Sequence, residues 1–498
     1  MNLAHETNVE RLRQAALLLE AENGRLLAKV VELTRQLATA RGEDATVLQL
    51  RLAELEAQLA KRNHLLFGTS SEQRHQKRGS GKPPRTPRPG HGPKPQPNLE
   101  LVEKVHHLDA ADQVCNSCGG GLEEWKGQSE DSEEVDVIER KFVVTKHRRQ
   151  KYRCRCGGCV ETALPPPKLF EGARYSINWA IEVATQKYLD HLPLERQVRI
   201  MEREGLSVDS QTLWDYLERL VRILEPAWDR LHGHVLQQPV IGADETRWPL
   251  MGAAEGTPSK WQLWAISAAD AMVYRILESR SAEAARQVLG EYTGTVMVDG
   301  YAAYESLQKN GGKFSLANCW AHARRAYLDV RENFPQVEPV LNLIGDLYNV
   351  EALCPTGPPG DELRRRLRDT KSRVIISRIQ QWALEQRALP ESGLGKAIAY
   401  MGGRWRGLVR FLEDPRIPLD NSATERGIRG PVVGRKNHYG SRSRRGTEVA
   451  AILYSLMESA KLCALEPKAY LRRAVTAALA GEQIPLPHEV AALKPASC

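Results

Sequence analysis

The sequence predicts a multidomain protein of mixed α+β class with an α/β core in its second half. Three observations carry this. The chain has 498 residues, more than one typical core accommodates. Its composition changes abruptly along its length, from heptad leucines to a cationic Pro/Gly run to a cysteine cluster. Beyond Pro239, short β-rich apolar runs alternate with helical periodicity, the pattern of a sheet clad by helices.

Residues 1–67 read as a leucine-zipper coiled coil. Leu12, Leu19, Leu26 and Leu33 recur with heptad spacing, and Ala16, Asn23, Val30 and Leu37 follow them at the second seam position. Asn23 on that seam favours a parallel two-stranded register, because its amide is satisfied only by its mate in an aligned dimer. A homodimer or higher oligomer is therefore expected. Gly42 breaks the pattern, and Leu48, Leu52, Leu55, Leu59 and Leu66 resume it in a shifted frame. An intramolecular helical hairpin is the competing arrangement. LFGTSSEQ marks the boundary, and 68–98 is a linker whose stretch HQKRGSGKPPRTPRPGHGPKPQPN holds no acid. Its prolines favour an extended chain, and its cations either track phosphates or keep a spacer solvated.

Residues 99–168 carry two cysteine knuckles. Cys115, Cys118, Cys156 and Cys159 supply the four thiolates of a closed Zn2+ site, a zinc ribbon, with Cys154 as an alternative to Cys156. Between the knuckles, Lys146 to Arg155 form a dense basic strand. Arg148, Arg149 and Lys151 are its candidate DNA contacts; a solvated strand edge is the plainer reading. Nine cysteines, an odd and clustered set, suit metal binding in a reducing compartment better than a disulfide framework. No apolar run approaches bilayer length, and the N-terminus lacks a signal-peptide core. A cytoplasmic protein without a membrane partner is expected.

Residues 169–237 are helical by period and suggest a helix-turn-helix-like region. Gly205 ends one helix, Asp209 or Ser210 caps the next, and Gln211, Thr212 and Asp215 stand near that helix start. A plain helical hairpin fits the same pattern.

The α/β domain is expected over 238–450. VIGADETRW, KWQLWAISAA and AMVYRILES read as strands, SAEAARQVLGEY as a helix, TVMVDGY as a strand, and SLANCWAHARRAYLDV as a strand entering a helix. Asp244 and Asp299 each follow a β-rich run, and Glu425 stands just inside a helix start that Asp420, Asn421 or Ser422 can cap. Carboxylates suit Mg2+ (or Mn2+), hard ions that prefer oxygen; a pair of them roughly 4 Å apart activates an attacking oxygen and stabilises a leaving one. Glu448 is a rival third acid. Around Glu425, Arg426, Arg429, Arg435, Lys436, Arg442, Arg444 and Arg445 supply cations suited to DNA phosphates. Residues 333–414 form a helical insertion whose Trp382 and Trp405 are expected in the core, with stacking on unpaired bases the alternative. Cys319 and His322 make half a zinc site, so packing or DNA contact is the preferred reading for them. Residues 451–498 form a C-terminal helical region. The balance of 70 Lys and Arg against 62 Asp and Glu, net +8, is mild overall and concentrated in these patches.

Taken together, LFGTSSEQ, the cysteine-rich module, ADET, DGYAAYE, CWAHARRAY, LDNSATERGIR and SLMESAKLCALEPKAYL resemble the transposases of the insertion sequence 66 family of bacterial mobile elements. The match runs through nearly the whole chain. The resemblance implies an RNase H-like catalytic domain of the acid-triad type, with catalytic roles on Asp244, Asp299 and Glu425. It further implies a DNA transposase acting on the terminal repeats of its element and on target DNA, nucleoid-associated, with accessory proteins from the same element. A catalytically silent DNA-binding regulator is the alternative.

Overall fold

The computed structural model describes residues 140–153, 155, 159–251 and 260–493, with 103, 105–107, 109, 117 and 119–122 ahead of them. The expected zipper with Leu12, Leu19, Asn23, Leu26 and Leu33, the linker 68–98, and Cys115, Cys118, Cys154 and Cys156 lie outside the described residues.

The basic segment forms a small antiparallel hairpin, β1 (Lys151–Arg153) against β2 (Val160–Thr162), with Tyr152 opposite Glu161. Three helices follow: α1 (Ile177–Tyr188), α2 (Leu194–Arg203) and α3 (Ser210–Leu236). Asp209 caps α3 by accepting a hydrogen bond from the Thr212 amide at 2.7 Å.

A five-stranded sheet comes next. Its strands are β3 (Val240–Pro249), β4 (Lys260–Ser267), β5 (Met272–Leu277), β6 (Thr295–Val298) and β7 (Ser315–Asn318), in the order β5-β4-β3-β6-β7. β3, β4 and β5 form an antiparallel meander, whereas β6 and β7 run parallel to β3. Parallel pairing requires crossovers. α4 (Ala282–Leu289) fills the first and α5 (Ala302–Lys309) the second, and α6 (Trp320–Leu328) follows β7 directly.

Both sheet edges are covered. On β5, the Tyr274 and Met272 amides donate to Ser455 Oγ (2.8 Å) and Ser459 Oγ (2.9 Å) of α13 (Arg444–Leu462), so hydroxyls replace a missing strand. Each such bond contributes about 1 kcal/mol. On β7, Arg410 donates to the Leu316 carbonyl at 2.9 Å.

That arginine belongs to the insertion, made of α7 (Glu338–Ala352), α8 (Asp361–Leu367), a π-helical turn at Arg368–Ser372, α9 (Arg373–Glu385), α10 (Gly393–Gly403) and α11 (Trp405–Leu408). Its own apolar cluster includes Trp320, Tyr327, Leu347, Ile379 and Phe411. Trp382 and Trp405 pack edge-on against Tyr327 and Trp320 within it.

A second, larger cluster joins α1 and α3 to the sheet and to α12 (Ser422–His438), α13, α14 (Pro467–Leu479) and α15 (Pro487–Ala492). Residues 169–237 and 451–493 therefore share one core with the sheet. Among the described residues, no helix is long and apolar enough to cross a membrane.

Candidate active site

The sheet register brings the two aspartates together. Gly242 of β3 pairs with Met297 of β6 in the parallel ladder. Asp244 and Asp299 each stand two residues further on, Asp244 in the middle of β3 and Asp299 just past the end of β6, so both carboxylates lie on the same face of the sheet.

The first turn of α12 supplies Glu425. Asn421, which precedes this helix, donates from Nδ2 to the Ala243 carbonyl at 2.8 Å. Asp420 instead accepts from the Ser422 amide. Thr424 bonds both Asn421 Oδ1 and Ser267 Oγ at 2.7 Å. A Cβ on Gly242 would collide with Thr424 Oγ1 and crowd Asn421 and Ser267, so only glycine lets the helix start approach the strand this closely.

The charges act on one another's titration accordingly, as Asp244 illustrates. Burial pushes the Asp244 carboxyl up to about 7, the adjacent Glu245 charge adds to this, and the charges of Asp299 and Glu425 raise it further. A gathering of partly buried like charges is relieved by a cation. Oxygen donors of this kind fit Mg2+ or Mn2+. Glu425 Oε1 and His322 Nδ1 fit the same need: both are buried without a hydrogen-bond partner, and they stand 3.7 Å apart.

The Cys319–His322 pair divides in role. Donor atoms of Cys319, His322 and Glu425 lie within 4.8 Å of one another. Yet burial pushes the Cys319 thiol up to about 11, and its sulfur accepts from the Asn421 amide at 3.4 Å. Burial thus favours the neutral thiol of Cys319, held by the Asn421 amide, while His322 lies beside Glu425.

The turn after β6 is held by the insertion. The Tyr301 amide donates to Asp299 Oδ1 at 2.9 Å, Tyr400 donates to the Asp299 carbonyl at 2.7 Å, and Arg404 donates to the Gly300 carbonyl at 2.8 Å. Gly300 has φ of 101°, a left-handed value that favours glycine, and Arg404 fills the space a side chain would need.

Glu245 and Arg280 escaped the sequence reading. Glu245 lies on the strand face opposite Asp244, with Ile241 and Ala243, and is buried. Strand alternation is the signal that could have found it. Burial raises its carboxyl, although Arg280 and Tyr304 oppose the shift by hydrogen bonding.

The cations occupy distinct positions. Arg148, Arg149 and Lys151 are exposed on and before β1. On α12, Arg426, Arg429 and Lys436 are exposed, whereas Arg435 turns inward and donates to Thr246 Oγ1 at 2.9 Å and to the Arg247 carbonyl. Arg442 is largely exposed, and Arg444 lies near Glu278 and Glu448. Arg445 is engaged internally by Glu218 (3.2 Å) and Glu448 (2.8 Å), which also turns Glu448 to a structural pairing.

Comparison with known proteins bears on this arrangement. A family model described as "Transposase IS66 family" matches residues 173–449, and one described as "zinc-finger binding domain of transposase IS66" matches 112–157. The zinc-finger match spans Cys115, Cys118, Cys154 and Cys156 and ends before Cys159, which is exposed. Uncharacterized protein y4jD of Sinorhizobium fredii (strain NBRC 101917 / NGR234) is 31% identical, over 76% of this chain and 76% of its own length. Protein y4qI of the same strain is 30% identical, over 82% of this chain and 78% of its own. Among solved structures, the Mos1 transposase paired-end complex with left transposon end is 13% identical over 49% of this chain and 80% of that one, with a TM-score of 0.13, too slight to carry an argument. By the extent of the family match and these identities, the chain belongs to the IS66 family of transposases.

Proposed function

We propose that this protein is a DNA transposase that binds the terminal inverted repeats of its own element and catalyses metal-dependent strand cleavage and strand transfer. The observation that carries the reading is the convergence of β3, the end of β6 and the start of α12, which brings the charges of Asp299 and Glu425 within reach of Asp244. The strand order β5-β4-β3-β6-β7, with three antiparallel strands followed by two parallel ones, supports an RNase H-like core.

In this reading Asp244, Asp299 and Glu425 hold the divalent ions, and His322 lies beside Glu425. Bound Mg2+ or Mn2+ supplies a nucleophilic oxygen at neutral pH and stabilises the leaving oxygen of the phosphodiester. Asn421, Tyr301, Tyr400 and Arg404 fix the acid-bearing segments before substrate arrives, which lowers the cost of ordering them later. The exposed arginines of α12 hold the flanking backbone. A zinc ribbon on Cys115, Cys118, Cys156 and Cys159 and the helices of 169–237 contribute end recognition. A zipper through Leu12, Leu19, Asn23, Leu26 and Leu33 pairs two chains, so that two ends are held at once. The reaction takes place on DNA in the cytoplasm, at the nucleoid, with accessory proteins of the element.

The test is cleavage and joining of DNA carrying the element's ends, with Mg2+, by the native chain and by Asp244→Ala, Asp299→Ala and Glu425→Ala. Joined product lost in all three variants, with end binding retained, is the expected result. Tight end binding by the native chain without cleavage, even when the element's other proteins are added, would leave a DNA-binding regulator.

A further inference from the structure

Next to the acid cluster stands the ion pair of Glu245 and Arg280. Glu245 has a fully buried side chain. Arg280, in the loop between β5 and α4, donates to its Oε1 from Nε (3.0 Å) and Nη2 (2.5 Å), and Tyr304 donates to its Oε2 at 3.0 Å. The guanidinium also lies over the Tyr301 ring, 3.7 Å from its centroid. Tyr301 returns a hydrogen bond from its hydroxyl to the Arg280 carbonyl at 2.7 Å, while its amide holds Asp299.

The loop itself is pinned. Trp264 donates to the Ser279 carbonyl at 3.2 Å, and Ser281 caps α4. Arg280 is thus fixed along one edge and one face. Its Nη1 makes no hydrogen bond among the described residues, its side chain remains 46% exposed, and it lies within electrostatic reach of Asp299.

Stability alone is a poor reason for this arrangement. Withdrawing a carboxylate from water beside other acids is costly, and an apolar pair of similar volume stabilises as well or better. What the pair does provide is an arginine whose orientation is settled before a ligand arrives. A planar guanidinium with a free edge matches a phosphate, and a lysine in its place would keep neither the stacking nor the two-point grip on Glu245.

We propose that Arg280 is a phosphodiester-binding residue at the mouth of the acid site, gripping a backbone phosphate of the strand presented to Asp244 and Asp299, with Glu245 and Tyr301 as its positioning residues. This rests on the reading of the acid site as a DNA-processing centre.

The experiment uses the full chain and element-end DNA in which single phosphates around the cleavage position are replaced, one at a time, by neutral methylphosphonates. Binding at several salt concentrations and cleavage are both read. For the native chain, one replacement is expected to weaken binding and slow cleavage about tenfold, roughly the size of one charge-assisted contact. Arg280→Ala is expected to be insensitive to that replacement and to lower the salt slope of binding by about one. Glu245→Gln, which keeps the shape, is expected to blunt the same position-specific loss without changing the melting temperature by more than a few degrees. If Arg280→Ala does not fold, the double variant Glu245→Gln with Arg280→Met carries the same reading, since it leaves no buried charge unpaired.

Equal methylphosphonate profiles for native and Arg280 variants, with an unchanged salt slope, would overturn the proposal. Binding alone reports the contact, so it is decided even where the native chain cuts nothing, an outcome that would instead count against the catalytic reading.

Discussion

Asn421 Nδ2 lies 2.8 Å from the Ala243 carbonyl, tying the start of the Glu425 helix to the strand residue that precedes Asp244. This bond fixes the third acid relative to the first, and its environment is dry: Asn421 is 2% exposed. The length of chain between β3 and α12 is then irrelevant to the geometry of the site.

The contact depends on Gly242. Gly242→Ala is expected to destabilise the protein by about 1–3 kcal/mol, the usual cost of overpacking, and to push the start of α12 outward. Urea unfolding measures the first effect. Strand transfer should fall further than end binding does, because only the former needs the three carboxylates in place. A variant of native stability and activity would show that the helix does not require this close approach.

The insertion has a buried ionic anchor of its own. Arg368 is 2% exposed, pairs with Glu351 at 2.7 and 2.9 Å, and donates to the carbonyls of Phe411, Asp414 and Ile417. Removing one partner of such a pair costs about 3–5 kcal/mol. Arg368→Ala should therefore lose hydrogen-exchange protection over 333–414 before the sheet does. Because Tyr400 and Arg404 hold the Asp299 turn, cleavage should fall as well. Loss of protection spread evenly over the sheet would contradict an independent anchor.

Asp244 gives a pH dependence with a defined sign. Its carboxyl lies at about 7 in the folded chain against an ordinary value of 3.8, so the native state holds a proton that the unfolded state has lost. Without divalent metal, stability should fall as pH rises from about 4 through about 7, with a slope of at most about 1.4 kcal/mol per unit from this group. Asp244→Asn should flatten that slope and raise the melting temperature at pH 8. Added Mg2+ should stabilise the native chain more at pH 8 than at pH 6, since the ion competes with the proton, and the Asn variant less at either pH. Thermal melts across this range, with and without chelator, measure all three.

The zinc ribbon predicts one tightly held zinc per chain. Cys118→Ser and Cys156→Ser should each remove it, and Cys154→Ser should leave it in place. Metal analysis of the purified variants decides this; retention by Cys156→Ser with loss by Cys154→Ser would move the ligand to the other cysteine.

Much of the sheet could be read in the sequence because strands are short, apolar and locally encoded. VIGADETRW, KWQLWAISAA, AMVYRILES and TVMVDGY all became strands, and their alternation is a property of neighbouring residues alone. The cap of α3 was legible for the same reason: Asp209 acts on an amide three residues away. Trp382 and Trp405 are partly buried and pack against the core of the insertion, as the bulk of an aromatic ring favours.

Other relationships joined residues with no local signal between them. Ser455 and Ser459 cover β5 from a helix far along the chain, and Arg445, a candidate for DNA, is taken up by Glu218 and Glu448. Glu245 is buried against Arg280 and Tyr304, partners that lie on the loop after β5 and on α5, far from it in sequence.

The sequence by itself determined many of the strands and helices, the helix start that carries Glu425, and the family to which the chain belongs. Only the tertiary structure decided that Asp299 and Glu425 come within electrostatic reach of Asp244, that His322 and Cys319 lie close to Glu425, and that Arg280 stands fixed within reach of Asp299. The physical reason is range: propensity and periodicity act over a few residues, whereas burial, register and charge coupling arise only when distant segments pack.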